Sequence, residues 1–201
     1  MISHSGLAAY AQDSYDAAPD LLAENDAALI VRRTADETIV ACRGTQPRSL
    51  ENWRRDFSAW PLRHYGIGYC HAGFSQGGVD LWASIAATIA HEESVAFTGH
   101  SLGGAMAQVL AACHNSDRRR RPCRVVTFGA PRVGSIRFGK LVRRSAEAVE
   151  YQRAGDRVPD LPWPLYCWHP TKVRVIGRRF LDPRKNHSLA NYRADLTALG
   201  V

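Results

Sequence analysis

The chain has 201 residues, 45% hydrophobic and 22% charged, with a net charge of +7. These proportions exclude a disordered or fibrous chain and leave room for one domain, residues 1–201, with a sizeable core. No stretch is long and apolar enough to cross a membrane, and Met1 to Asp20 lacks the basic region and apolar core of a signal peptide. Cys42, Cys70, Cys113, Cys123 and Cys167 form an odd set without metal-type spacing. They read as reduced thiols of a cytoplasmic protein with no metal site and no cofactor. The positive charge invites a nucleic-acid or anionic-membrane partner. Its densest run, Arg118 to Arg121 with Arg124, carries no fingerprint of a nucleic-acid module. It lies between a helix end and the next strand, away from the edge where α/β sheets bind ligands, so a solvated loop is expected and nucleic acid is not.

In chain order, Ser5 to Tyr15 reads as a helix. Ala27 to Arg32 and Thr38 to Arg43 read as an antiparallel strand pair. Leu50, Trp53 and Phe57 fit one face of a short helix, Trp60 to Gly66 a loop, and Ile67 to Cys70 a short strand. A helix is expected from Phe74 to about His91, then a buried strand at Val95 to Thr98 and a helix on Leu102, Ala105, Met106, Val109, Leu110 and Cys113. Next come a strand at Arg124 to Phe128, a helix at Ser135 to Arg144 and a strand at Ala148 to Arg153. Val158 to Pro170 holds four prolines and two tryptophans and reads as a rigid loop. Lys172 to Ile176 is a strand that pairs with Arg178 to Leu181 across Gly177, and His187 to Leu199 is the closing helix. Strands alternate with helices from Ile67 onward. This predicts an α/β fold whose central sheet is mostly parallel, flanked by helices, and antiparallel at its N-terminal edge.

The most informative stretch is Val95 to Gly104. A short apolar strand runs into Gly99-His100-Ser101-Leu102-Gly103, and a helix follows. Gly-x-Ser-x-Gly carries little by itself, but between a strand and a helix it is the nucleophile elbow of an α/β hydrolase. The glycines let strand and helix backbones approach, and the helix N-terminus favours an oxyanion beside Ser101.

A serine hydroxyl needs a base, and the base needs a carboxylate to orient it. The order along the chain in this architecture is serine, carboxylate, histidine. His187 follows the last strand and His169 sits in the proline-rich loop, so both are candidates, with topology favouring His187. Asp156 follows the strand ending at Arg153, Asp160 is four residues on, and Asp182 precedes His187 by five. Topology favours Asp156, with Asp182 as the rival. The Leu102 N–H, next to the nucleophile, is one expected oxyanion donor. Thr45, after the early strand and Gly44, would offer its N–H and hydroxyl as the second.

Six ordered motifs resemble the class 3 lipase family, the fungal-lipase-like α/β hydrolases: Arg43-Gly44-Thr45 with Asn52-Trp53 and Asp56; His71-Ala72-Gly73-Phe74; Gly99 to Gly104; Thr127 to Gly134; Asp156-Arg157-Val158-Pro159; and His187 with Tyr192. The resemblance implies a serine carboxylester hydrolase acting on acylglycerol or other fatty-acyl esters, with Ser101, Asp156 and His187 as triad and Thr45 and Leu102 as oxyanion donors. Transient contact with a lipid surface is expected, and the Ser49 to Phe57 segment reads either as a small lid or as a fixed wall of the site. Phospholipase, feruloyl-type esterase and thioesterase activities stand as alternatives on the same scaffold. Outside enzymes, an inactive hydrolase-fold binder and an Arg-rich nucleic-acid binder remain. Trp53, Trp60, Trp163 and Trp168 are candidates for an acyl pocket, and Arg54, Arg132 and Arg157 for contact with lipid phosphate, beside plainer packing and surface roles. The chain departs from the secreted fungal members in its shortness, its lack of a disulfide pattern and the short interval from Asp156 to His187.

Overall fold

The computed structural model describes residues 1–23, 26–44, 60–162 and 167–201. Seven strands form the main sheet: β1 (Leu21–Leu22), β2 (Ala28–Arg33), β3 (Thr38–Cys42), then, after a separate hairpin of β4 (Pro61–His64) and β5 (Gly68–His71), β6 (Val95–His100), β7 (Arg124–Phe128), β8 (Glu147–Arg153) and β9 (Arg174–Ile176). The spatial order is β1-β2-β3-β6-β7-β8-β9. The first two pairings are antiparallel and all later ones parallel. This is the expected architecture. Every residue of β3, β6 and β7 is buried, which explains why these strands read as unbroken apolar runs instead of alternating.

Helices cover both faces. On one lie α1 (His4–Asp16) and, at the end of the chain, α6 (Leu189–Leu199). Leu7, Ala8 and Ala11 pack there with Val126, Phe128, Tyr192 and Leu196. The Ser3 hydroxyl caps α1 by accepting from the Gly6 N–H at 3.1 Å. The other face carries α2 (Ala72–Ile85), α3 (Leu102–Ser116) and α4 (Ile136–Val142). Phe74, Leu81, Val109, Leu110 and Phe138 fill that core. A short α5 (Pro183–Asn186) precedes α6.

Several boundaries differ from the sequence reading. Trp60 to Gly66 is not a loop: Pro61–His64 is a strand paired with β5 in a hairpin whose tip holds Gly66 at φ 88°. A proline opening a strand reads as loop, yet it is tolerated at a first, edge position. The helix expected to run to His91 ends at Ile85. Arg120, from the basic run, donates to the Ala86 and Ile89 carbonyls and lies over the Trp82 ring at 5.2 Å, so it closes the segment after that helix. Arg178 to Leu181 is not a strand; β9 pairs with β8 instead. The last helix begins at Leu189, leaving His187 between α5 and α6. All five cysteines are buried and unpaired.

The strand starts form the amino edge of the parallel sheet. There Arg124 joins Glu37 at 2.6 Å and Glu147 at 2.8 Å, with both glutamates on neighbouring chain segments, and His4 reaches Glu147 at 3.0 Å. The strand ends form the opposite edge. Register sets Cys42 beside Gly99, His100 beside Phe128 and Phe128 beside Tyr151. The loops leaving these ends therefore converge.

Candidate active site

Ser101 stands at the junction of β6 and α3 with φ 57° and ψ −127°. A serine held there is strained by about 1–3 kcal/mol. Its surroundings impose the turn: its N–H donates to the Phe128 carbonyl at 2.9 Å, and Ala105 N–H donates to its carbonyl at 3.2 Å. A methyl group on Gly99 would collide with Gly103, and one on Gly103 with the Cys42 carbonyl. The strand and helix thus meet at glycine distance, as the motif requires.

His187 Nε2 lies 2.9 Å from Ser101 Oγ, and its Nδ1 lies 2.8 Å from Asp156 Oδ2. The carboxylate can only accept, so Nδ1 carries the hydrogen and Nε2 is left to accept from the serine hydroxyl. Asp156 follows β8 through Gly155, which has φ 83°. Three donors meet this buried carboxylate: His187, the Tyr192 hydroxyl at 2.7 Å and the Val158 N–H at 3.0 Å. Burial works to raise its pKa, but the hydrogen bonds and the His187 charge outweigh it, and the net value lies below the ordinary aspartate. The same pairing, after burial, pushes Tyr192 well above a normal tyrosine, so the phenol stays a donor. Tyr192 in turn accepts the Arg153 N–H at 2.9 Å.

A further set of residues holds the His187 backbone and the chain around it. His100 Nε2 is 2.8 Å from the His187 carbonyl and therefore donates to it; the two rings lie 4.5 Å apart. His100 Nδ1 is left as an acceptor, 3.1 Å from the Tyr15 hydroxyl. Burial, then the neighbouring His187, push the His100 pKa down to about 3, which keeps the ring neutral. The buried Arg153 guanidinium pairs with Asp195 of α6 and donates to the Lys185 and Arg178 carbonyls, binding the chain before His187 to the end of β8. The Asn186 amide closes that chain by pairing with both backbone groups of Phe180.

The rival residues stand elsewhere. His169 lies between Glu150 Oε2 and the Pro159 carbonyl, each at 2.8 Å. Asp182 caps α5 by accepting from the Arg184 N–H at 2.9 Å. Asp160 Oδ1 meets Gln152. Leu102 opens α3, so its N–H is among the first-turn amides that have no acceptor inside the helix. Thr45, Trp53, Arg54, Trp163 and the Ser49 to Phe57 segment lie outside the described residues. Trp60 and Trp168 are both exposed, and Arg132 donates to the Asp160 and Pro162 carbonyls. Among the described residues no group of histidine, cysteine and carboxylate side chains is placed to hold a metal, and no helix is long and apolar enough to cross a membrane.

Sequence reasoning missed Tyr15, Arg153 and the supporting role of His100. It also passed over Gly129, at φ 62°, where a methyl group would stand about 3 Å from Asp156 Oδ2, His187 Cε1 and the Tyr192 hydroxyl. The only available signals were a histidine beside the serine and a glycine directly after a buried strand.

A parallel sheet with a strained serine at a strand–helix junction, in line with a histidine and an aspartate, defines an α/β-hydrolase fold bearing a Ser–His–Asp constellation. Residues 39–165 match the class 3 lipase family. A lipase of Caenorhabditis elegans is 34% identical over 152 residues, 67% of this chain and 40% of that one. A secreted mono- and diacylglycerol lipase of Fusarium solani is 33% identical over 147 residues, 67% of this chain and 42% of that one. This chain therefore spans about two fifths of the length of these relatives. The Rhizomucor miehei lipase, in its propeptide complex, superimposes with a TM-score of 0.65 at 25% identity, covering 77% of this chain and 54% of that one. A triacylglycerol lipase whose catalytic centre is a serine protease triad shares the fold with a TM-score of 0.71 at 21% identity, covering 87% of this chain and 78% of that one. The chain belongs to the class 3 lipase family.

Proposed function

We propose that this protein is a serine carboxylester hydrolase that cleaves acylglycerols or other fatty-acyl esters through an acyl-enzyme. The observation that carries the reading is the unbroken line Ser101 Oγ, His187 and Asp156, at 2.9 and 2.8 Å. Ser101 Oγ attacks the ester carbonyl carbon as His187 Nε2 takes the hydroxyl proton. The resulting imidazolium is stabilised by Asp156, whose carboxylate stays ionised because three donors face it. The carbonyl oxygen becomes an oxyanion, received by the Leu102 N–H and by Thr45. When the tetrahedral intermediate collapses, His187 hands its proton to the leaving alcohol. Water then attacks the acyl-serine by the same route, and the free acid leaves.

Family membership and the secreted mono- and diacylglycerol lipase relative support the substrate class. Five buried, unpaired cysteines suit a reducing compartment, and the reading of a cytoplasmic enzyme rests on them. The direct test is labelling with a fluorophosphonate, followed by p-nitrophenyl esters of increasing chain length. Labelling at Ser101 that is lost in Ser101→Ala, with turnover rising toward medium or long acyl chains, is the expected result. An unlabelled Ser101 in folded protein would sink the reading.

A further inference from the structure

Among the described residues the β4–β5 hairpin is the one strand pair outside the main sheet, and it packs against the loops at the site edge. Ser135 N–H donates to the Tyr69 carbonyl at 2.8 Å, and Gly134 bridges Cys70 on one side and Trp168 on the other. Gly134 and Ser135 lie on the chain that leaves the end of β7, the strand next to β6 and Ser101. The hairpin therefore belongs to the same edge as the triad.

Between the hairpin turn and the start of α4 lies an open cleft of about 520 Å³. Arg63 and Arg137 stand on its two sides, with Tyr65, Tyr69 and Ser135 between them, and no carboxylate lines it among the described residues. Register places Arg63 opposite Tyr69, on one face of the ribbon, while His64 turns the other way to Ser75 on α2 at 2.6 Å. Among the described residues neither guanidinium has a hydrogen-bond or ion-pair partner, in contrast to Arg120, Arg124 and Arg153, which are all engaged within the fold. Ser135 Oγ is shielded from solvent and likewise unpartnered among the described residues.

Apolar groups surround these cations. Tyr65 at the hairpin tip is fully exposed, Trp60 is 84% exposed and Ile136 62%. Tyrosine and tryptophan are suited to the boundary between water and hydrocarbon, and arginine pairs with phosphate in a forked geometry. An acidic protein partner would satisfy the arginines but would not require this exposed aromatic rim.

We propose that the hairpin and the start of α4 dock the protein on an anionic lipid surface, with Arg63 and Arg137 holding a lipid phosphate and Trp60, Tyr65 and Ile136 entering the headgroup layer. This rests on the reading of the protein as a hydrolase of lipid esters, and it adds the surface on which such an enzyme works. Docking here would hold the triad edge toward the lipid, so that an ester need only move from the layer into the site.

The test measures binding of the whole chain to vesicles of phosphatidylcholine alone and mixed with phosphatidylglycerol. Each basic residue at an anionic surface is worth roughly a factor of five in partition, so Arg63→Gln with Arg137→Gln should weaken binding to the mixed vesicles roughly 10- to 30-fold. Tyr65→Ser, at a side chain with no packing role, should weaken it several-fold. Arg118→Gln with Arg121→Gln removes the same charge from the opposite edge and should change it little. Equal loss in both double variants would overturn the proposal in favour of general charge attraction. Equal binding of the parent to both vesicle types, or its displacement from mixed vesicles by millimolar glycerol 3-phosphate, would overturn it as well. Ser101→Ala should bind vesicles as the parent does. The docking result thus stands apart from catalysis, and failure of the parent to hydrolyse esters would remove only the hydrolase reading.

Discussion

At the amino edge of the sheet, Arg124 lies between two glutamates, and its guanidinium meets both carboxylates. At the carboxyl edge, the buried Asp156 meets no fixed cation: a histidine, a phenol and a backbone amide donate to it. Both regions bury charge. The first sets a fixed cation against its carboxylates and ties the N-terminal segment to the starts of β7 and β8. The second leaves it one neutral imidazole short of neutrality, and that deficit favours a proton arriving on His187. What separates the structural cluster from the proposed catalytic one is therefore the fixed cation, which Arg124 supplies to the first and which the second lacks, not the depth of burial.

Exchange of single groups at the two edges should break the comparison in opposite ways. Asp156→Asn keeps the shape but removes the fixed charge and disturbs the tautomer. It should lower kcat on a soluble ester by about four orders of magnitude in protein that remains folded. At the other edge, Arg124→Met leaves the buried Glu37 without its cation and should cost about 3–5 kcal/mol in urea denaturation, with kcat of the folded fraction intact. An Arg124 variant that kept its stability but lost turnover would erase the distinction.

The edges should also differ in their response to acid. A histidine in the unfolded chain titrates near pH 6.5, whereas His100 in the fold is held down to about 3. Between these values the unfolded chain carries the extra proton. Stability is therefore full above about pH 6.5 and falls as the pH drops toward 3, by about 1.4 kcal/mol per unit. Burial lowers His64 and His114 as well and adds to the slope. Denaturation series across this range should show a shallower fall in His100→Asn. An unchanged slope would locate the acid sensitivity elsewhere. Asp156 acts in the same direction at lower pH, because its depressed pKa makes its contribution present above the ordinary aspartate range and lost as the carboxylate protonates.

Smaller changes sharpen the picture. Tyr192→Phe removes one of three donors to Asp156, and a hydrogen bond to a charged group is worth about 1.5–3 kcal/mol. Turnover should fall about 10- to 100-fold, and the acid limb of the pH–rate profile should move upward as the carboxylate becomes less stable. Asp182→Asn should have the least effect, within about twofold in turnover, because asparagine caps a helix as well as aspartate does. A loss in Asp182→Asn as large as that in Asp156→Asn would overturn the choice of carboxylate.

The buried strands were plain in the sequence because nothing else forces runs such as Ile39 to Cys42 or Val125 and Val126. Ser101, Asp156 and His187 were legible for a related reason: each follows a strand end, where topology brings loops together. The Pro61 strand was hidden because its pairing is with β5 alone and its pattern is that of an exposed ribbon. Arg178 to Leu181 misled in the other direction, since residues with strand character there are held as a loop by Arg153 and Asn186. The contacts of Tyr15 and Arg153 depend on sequence separations of 85, 25 and 42 residues, which no local pattern encodes.

The clamp on the His187 loop has a consequence for folding. The elbow is built from neighbours in β3, β6 and β7, whereas its base arrives from 86 residues further along. That base is fixed only when α6 has docked and Asp195 has met Arg153. A chain in which α6 has not docked would therefore hold Ser101 at its turn with no base beside it. Ester turnover should then report the docking of the final helix, and under gentle destabilisation it should disappear before the signal of the buried Tyr151 in β8 does.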